Sequence, residues 1–269
     1  MNGIWRWLPL RADDAARNMA VDEAIFRAYA LGLVPPTLRC YTWSPPGVSC
    51  GRFQDPAVEV DLAACAARGY GVVRRPTGGR AVLHEGDLTY AAIVGERDGL
   101  PAGTLPAYLH LSRGLLAGLT SCGIPAELHT PAGKDGRRSP ACFASPSWYE
   151  LTVGGRKVAG SAQRREAGSV LQHGAIMLSF FPDHLAAILR SAVPRAELAA
   201  QLAEAAAGLH EFAPGLAPAA LADALRAGFA DALRVEMAEG ILTEEEEILA
   251  RDLRLKFLSL SGERQGAAR

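Results

Sequence analysis

Between Asp13 and Ala30 the apolar positions Met19, Ala20, Ala24 and Ile25 recur at helical spacing. Asp13 or Asp14 is placed to cap that helix. "TLRCYTW" (37–43) alternates as a strand and stops at the breaker "SPPG". "VDLAACAARGY" predicts a short helix closed by Gly69, the residue type that best ends a helix in a left-handed conformation. From 71 to 94, "GVVRRPTGGRAVLHEGDLTYAAIV" reads as strand, glycine loop, strand, tight turn, strand. A helix through "AYLHLSRGLLAGLTSCG" then ends at Gly123, and "IPAEL" begins another strand.

The next stretch, "HTPAGKDGRRSPACFASPS", has no apolar period and reads as a long polar loop. Behind it Tyr149–Val153, a Gly154–Gly155 turn, Arg156–Arg164, an "EAG" turn and Ser169–Leu178 predict a meander of three strands. From Asp183 to Lys256 the pattern turns helical and Ala-rich, and Thr243 with Glu246 forms a capping box ahead of "ILARDLRLKF". The "EEEE" run at 244–247 complements a helix dipole and takes no catalytic role. Strands cluster between 37 and 178 with helices on either side. The expected class is α+β, with a mixed, mostly antiparallel sheet flanked by helices.

Bulk composition narrows the function more than the fold. The chain of 269 residues is 49% apolar and 21% charged, which is globular. A formal net charge of −1 supplies no field to gather nucleic acid or an anionic membrane, so neither is an expected partner. The first twenty residues lack a signal-peptide pattern and no apolar window reaches eighteen residues. Five cysteines, at 40, 50, 65, 122 and 142, form no C-x-x-C pair and fit reduced thiols rather than a disulfide framework or a zinc site. A cytoplasmic protein with no metal is expected.

Candidate chemistry begins at "RRPTGGRAVLH". Gly78 and Gly79 let backbone N–H groups approach a ligand, with Arg74, Arg75 and Arg80 around them. Strand alternation turns only one of Arg74 and Arg75 toward any one face. From pattern alone a solvated hairpin end with incidental arginines reads as well as a ligand loop. His84 gains weight over a structural histidine only if it converges with that loop, and so does His173 in "VLQHGAIML", beside Gly174. Cys40, Cys50, Cys65 and Cys122 lie where a small hydrophobe belongs. Cys142 lies outside any periodic pattern, with Lys134, Arg137 and Arg138 close before it, and cationic neighbours favour a thiolate. Lys157 is its candidate partner by pattern, although an exposed strand lysine is normally just a solvated charge. Alternation puts Lys157, Ala159, Ser161 and Gln163 on one face, where small residues leave room for a ligand.

"RRPTGGRAVLHEGDLTY" and "GRKVAGSAQRR…VLQHGAIML" resemble signature blocks of the biotin/lipoate protein ligase superfamily, and "NMAVDEAIF" and "YTWSPPGVSCGRFQ" resemble the two blocks before them. The resemblance runs from about residue 17 to the helix near Lys256. Within the superfamily, "ACFASPSWYELTVGGRKVAGSAQ" is similar to the LipM-type octanoyltransferases. That resemblance implies one catalytic domain over 1–269, its core at about 30–250, with a curved sheet flanked by helices. It puts the family nucleophile on Cys142 and the lysine that activates it on Lys157. It puts Arg75, Gly78, Gly79 and His84 on one side of an acyl pocket and Ser161, Ala162, His173 and Gly174 on the other.

The implied activity moves octanoyl from octanoyl-acyl carrier protein to Cys142, then to a lysine of a lipoyl-domain protein, the glycine cleavage H protein. No ATP or other cofactor is implied. Three alternatives remain at this point. An ATP-dependent lipoate–protein ligase would use the same scaffold and leave Cys142 without a task. An amidotransferase would take octanoyl from the H protein. A non-catalytic protein would only bind the acyl carrier.

Overall fold

The computed structural model describes residues 3–129 and 150–260. The chain opens with β1 (Ile4–Asp13) and α1 (Ala15–Ala30), then β2 (Thr37–Trp43), β3 (Gly47–Cys50), α2 (Pro56–Glu59), α3 (Leu62–Ala67) and β4 (Gly71–Arg74). β5 (Val82–His84), β6 (Asp87–Gly95), α4 (Thr104–Ser121) and β7 (Glu127–Leu128) follow. The second part holds β8 (Leu151–Val153), β9 (Arg156–Glu166), β10 (Ser169–Met177), α5 (Pro182–Ile188), α6 (Arg195–Ala205), α7 (Pro218–Leu233), β11 (Glu236–Glu239) and α8 (Glu244–Leu260). Asp14 is the cap of α1, accepting from the Arg17 N–H at 2.7 Å.

Eight strands form one sheet in the order β11-β1-β2-β6-β10-β9-β8-β7. The β11–β1 and β1–β2 pairs are parallel and the rest antiparallel. The meander expected from the sequence is β8–β9–β10, joined at Gly154–Gly155 and at Ala167–Gly168, where both residues of each turn have positive φ. Side-chain alternation divides the sheet's faces. Leu88, Tyr90, Ala92 and Val94 of β6 pack on one face with α4 and α7, while Ala91 and Ile93 face α1 and α8 on the other. Asp87, Thr89 and His173 also belong to that second face by alternation along β6 and β10, and all three border the cavity described below.

Three features depart from the sequence reading. β1 and β11 extend the sheet beyond the 37–178 window, and β11 interrupts the stretch read as wholly helical. With a single buried residue, Met237, in four, β11 offers no alternation; pairing with β1 makes it a strand. β4 and β5 are not a hairpin, because β3 lies between them in a second sheet of order β4-β3-β5. The glycine loop therefore crosses over the end of β3 and meets Ser49 and Cys50. The polar stretch read as a loop, with Cys142 in it, lies outside the described residues apart from His129. Among the described residues no helix is long and apolar enough to cross a membrane.

The N-terminal strand is tied to the last helix by charge. Arg6 donates to both carboxylate oxygens of Glu246, at 2.8 and 2.6 Å, and Glu246 is 1% exposed. The same carboxylate closes the expected capping box, accepting from the Thr243 N–H at 2.7 Å while Thr243 Oγ1 accepts from the Glu246 N–H at 3.2 Å. Removing one partner of a buried pair strands the other charge. Glu246→Ala is expected to cost about 3–5 kcal/mol in urea unfolding, against under about 1 kcal/mol for Glu247→Ala, whose pair with Arg17 is partly exposed. Equal losses would show that burial of the Arg6 pair contributes nothing.

Candidate functional site

Between the second face of the large sheet, the small sheet and the glycine loop lies a cavity of about 120 Å³. Met19, Trp43, Val82, Leu83, Met177 and Leu185 give it apolar walls. Of the eight residues expected to hold substrate, all but Gly78 border it: Arg75, Gly79, His84, Ser161, Ala162, His173 and Gly174. Lys157 borders it as well.

The two histidines and Arg75 are each held by partners within the protein. His84 stacks on Trp43 with ring centroids 3.8 Å apart, and its Nδ1 lies 3.0 Å from Asp87 Oδ2. A carboxylate only accepts, so Nδ1 carries a proton, and Nε2 lies 2.8 Å from the Ser49 hydroxyl. His173 follows the same logic, with Nδ1 2.8 Å from Asp22 Oδ2 and Nε2 2.6 Å from Thr77 Oγ1. Burial holds the His173 pKa below the usual imidazole range, against the opposing pull of Asp22. Asp22 also accepts from Arg39 at 2.8 Å and from the Tyr41 hydroxyl at 2.8 Å. Burial and then the Asp22 charge raise the Tyr41 pKa well above a free phenol's. Helix α1, strand β10 and the glycine loop are thus linked through one carboxylate.

Arg75 is a strut. Its Nε donates to Gly78 O (3.1 Å), Nη1 to Ser49 O and Oγ (2.8 and 3.2 Å), and Nη2 to Gly78 O and Arg80 O (2.7 and 2.8 Å). All five N–H groups of the guanidinium are directed at protein oxygens. Gly79, at φ +90°, passes so close beneath that a Cβ there would lie 2.6 Å from Arg75 Nη2. Only glycine fits that conformation and that space. Gly78 sits behind the strut, receiving it through its carbonyl.

The lysine arrives by an irregularity that period-2 reading does not see. Thr152 pairs with Lys157 but Leu151 pairs with Ala159, so Val158 is an extra residue, a β-bulge. Val158 and Ala159 both enter the core beneath α4 and α7. The expected common face of Lys157, Ala159, Ser161 and Gln163 is therefore corrected. Lys157 shares the cavity face with Gly160 and Ala162 instead, and the Ser161 hydroxyl accepts from Tyr90 OH at 2.8 Å. Lys157 is 5% exposed and donates to Glu150 Oε1 at 2.5 Å. Its side chain lies across Gly160, where a Cβ would come within 2.8 Å of both Cε and Nζ.

A family model described as the lipoyl protein ligase A/B catalytic domain matches residues 14–230, a span that contains every cavity residue named above. The chain belongs to the lipoyl protein ligase A/B catalytic domain family. Within that family it is 45% identical over 265 residues to octanoyltransferase LipM of Kyrpidia tusciae, covering 95% of this chain and 96% of the relative. Octanoyltransferase LipM of Symbiobacterium thermophilum is 45% identical over 262 residues, at 94% and 95% coverage. At such identity and coverage the chain is an acyltransferase. The fold is also similar to a bi-partite lipoate protein ligase from Thermoplasma acidophilum, with TM-score 0.80, 27% identity, and 96% and 94% of the two chains covered.

The described cysteines of this family member are poor nucleophiles. Burial pushes the Cys50 and Cys65 thiols up to about 11, Cys40 higher still, and Cys122 upward. Among the described residues no group of three or more His, Cys, Asp or Glu is placed to hold a metal ion. Sequence reasoning missed Asp22, Ser49 and Glu150. Asp22 did carry a signal, because Asn18, Asp22 and Glu23 stand in a helix that is buried on nearly every side. Acyl transfer should depend on Gly160. Gly160→Ala is expected to keep the melting temperature within about 3 °C, equivalent to ~1 kcal/mol, yet slow transfer by about 100-fold through misplacing the amine. An unchanged rate would show that the aim of Lys157 is immaterial.

Proposed function

We propose that this acyltransferase moves octanoyl from octanoyl-acyl carrier protein to a lysine of a lipoyl-domain protein such as the glycine cleavage H protein, through a thioester on Cys142. The observation that carries the proposal is the cavity itself, lined by Met19, Trp43, Val82, Leu83, Met177 and Leu185 and bordered by one buried lysine, Lys157. It is supported by relatives named octanoyltransferase LipM over almost the whole chain. The acyl chain takes the apolar walls, each buried CH₂ contributing about 0.8 kcal/mol. The Cys142 thiolate attacks the donor thioester and expels the carrier thiol. The acceptor amine then attacks the acyl-enzyme, forming an amide and releasing Cys142. Exchange of one thioester for another costs little and amide formation is downhill, so no ATP enters. Lys157 supplies the positive charge that favours the thiolate. Cys142 takes that role from the likeness of its sequence block to the LipM-type octanoyltransferases.

A second reading is an ATP-dependent lipoate–protein ligase, favoured by the similarity to the archaeal ligase. Against it, the Arg75 guanidinium donates to Ser49, Gly78 and Arg80, so among the described residues this arginine braces the loop instead of facing a ligand. Intact-protein mass spectrometry after mixing with octanoyl-acyl carrier protein, without ATP, separates the two. The expected result is an octanoyl adduct on Cys142 that disappears in Cys142→Ala and is discharged by a lipoyl domain. No adduct, with acceptor labelling only from free acid and ATP, would establish the ligase. Undiminished biological function of Cys142→Ala would leave only a binding role.

A further inference from the structure

Glu150 borders the cavity, is 5% exposed, and has no part in the reaction as proposed above. Its Oε1 lies 2.5 Å from Lys157 Nζ, and a Cβ on Gly160 would lie 3.9 Å from the same oxygen. Carboxylate, amine and the bare face of Gly160 thus form one cluster at the cavity wall. The Glu150 backbone is pinned, because its carbonyl accepts from the His129 N–H at 2.8 Å. The neighbouring cation, Arg156, is directed elsewhere, to Glu211 at 2.7 Å. A buried ammonium needs a counter-charge, and Glu150 is placed to be it.

We propose that Glu150 is a positioning residue for acyl transfer, holding Lys157 at the cavity wall as an ammonium; this rests on the thioester reading above. The proton balance then closes on Lys157. In the first half, the enzyme thiolate forms a C–S bond to the acyl carbon, the donor C–S bond breaks, and the departing thiolate takes a proton from Lys157 Nζ. In the second half, the acceptor amine forms the C–N bond and the enzyme C–S bond breaks. The surplus proton on nitrogen passes to Lys157, which returns to the ammonium paired with Glu150. Donor thioester and amine become amide and thiol, with no other reactant. Removing the carboxylate takes away a buried counter-charge that draws the proton back to Nζ and helps to fix the amine over Gly160.

Two variants separate charge from position. Glu150→Gln keeps an oxygen acceptor and removes the charge. It is expected to lower kcat at least about 100-fold, the scale of a lost acid–base group, with the donor KM within about threefold. Glu150→Asp keeps the charge but shortens the reach, and is expected to lower kcat about tenfold through misplacement; it also decides the matter if the Gln variant does not fold. A second readout does not need turnover: acetylation of Lys157 by acetic anhydride at neutral pH, followed by peptide mass spectrometry. Labelling should be at least about tenfold faster in Glu150→Gln and unchanged in Glu150→Asp, because only an uncharged amine reacts. Wild-type kcat in both variants, or a labelling rate within about twofold of wild type in Glu150→Gln, would overturn the proposal. If the wild type transfers no octanoyl without ATP, the thioester reading falls instead. The labelling comparison then decides alone whether Glu150 holds the Lys157 charge.

Discussion

A charged amine inside an apolar cavity has to be paired, and that constraint organises the site. Lys157 is 5% exposed, faces the cavity and carries Glu150 at hydrogen-bond distance. Three local features satisfy the constraint together. The bulge at Val158 turns the lysine away from the core, Gly160 leaves room for its side chain, and the strand that opens at β8 brings the carboxylate alongside. None of them is expensive alone. Each is useful only with the other two present.

The opposite wall is built on the same principle with different groups. Asp22, buried in α1, gathers Arg39, Tyr41 and His173, and His173 passes the contact to Thr77 of the glycine loop. Arg75 braces the loop from beneath through Ser49, Gly78 and Arg80. The arginine, glycine and histidine residues that look like ligand contacts are largely engaged with one another. They brace the cavity from within the protein, while Lys157 and Glu150 pair at its wall.

How much of this was legible in the residues differs from element to element. Strands with clean alternation, such as Thr37–Trp43 and the meander, and helices with caps, such as α1 behind Asp14, were legible because local chemistry alone decides them. β11 was not, since four residues with one buried side chain become a strand only by pairing with β1. The crossover of β4 and β5 around β3 was hidden for the same reason, because it depends on which strand fills the gap. At the site, His84 and His173 needed convergence with the glycine loop to matter, and the fold supplies it. Lys157 was legible as a candidate but its face was not, because one extra residue in a ladder reverses alternation. Glu150 gave no signal, as a single acidic residue at the start of a strand is ordinary. The assignment of Cys142 came from family likeness, not from spacing.

The proposed action of Lys157 on the Cys142 sulfur is tested most directly by thiol titration. The rate of Cys142 alkylation by iodoacetamide, followed by peptide mass spectrometry across pH, reports its thiolate fraction. A midpoint below the free-thiol value of about 8.5, moving up by at least about one pH unit in Lys157→Met, is the predicted result. The same midpoint in both proteins, at the free-thiol value, would contradict it and remove the lysine from the chemistry.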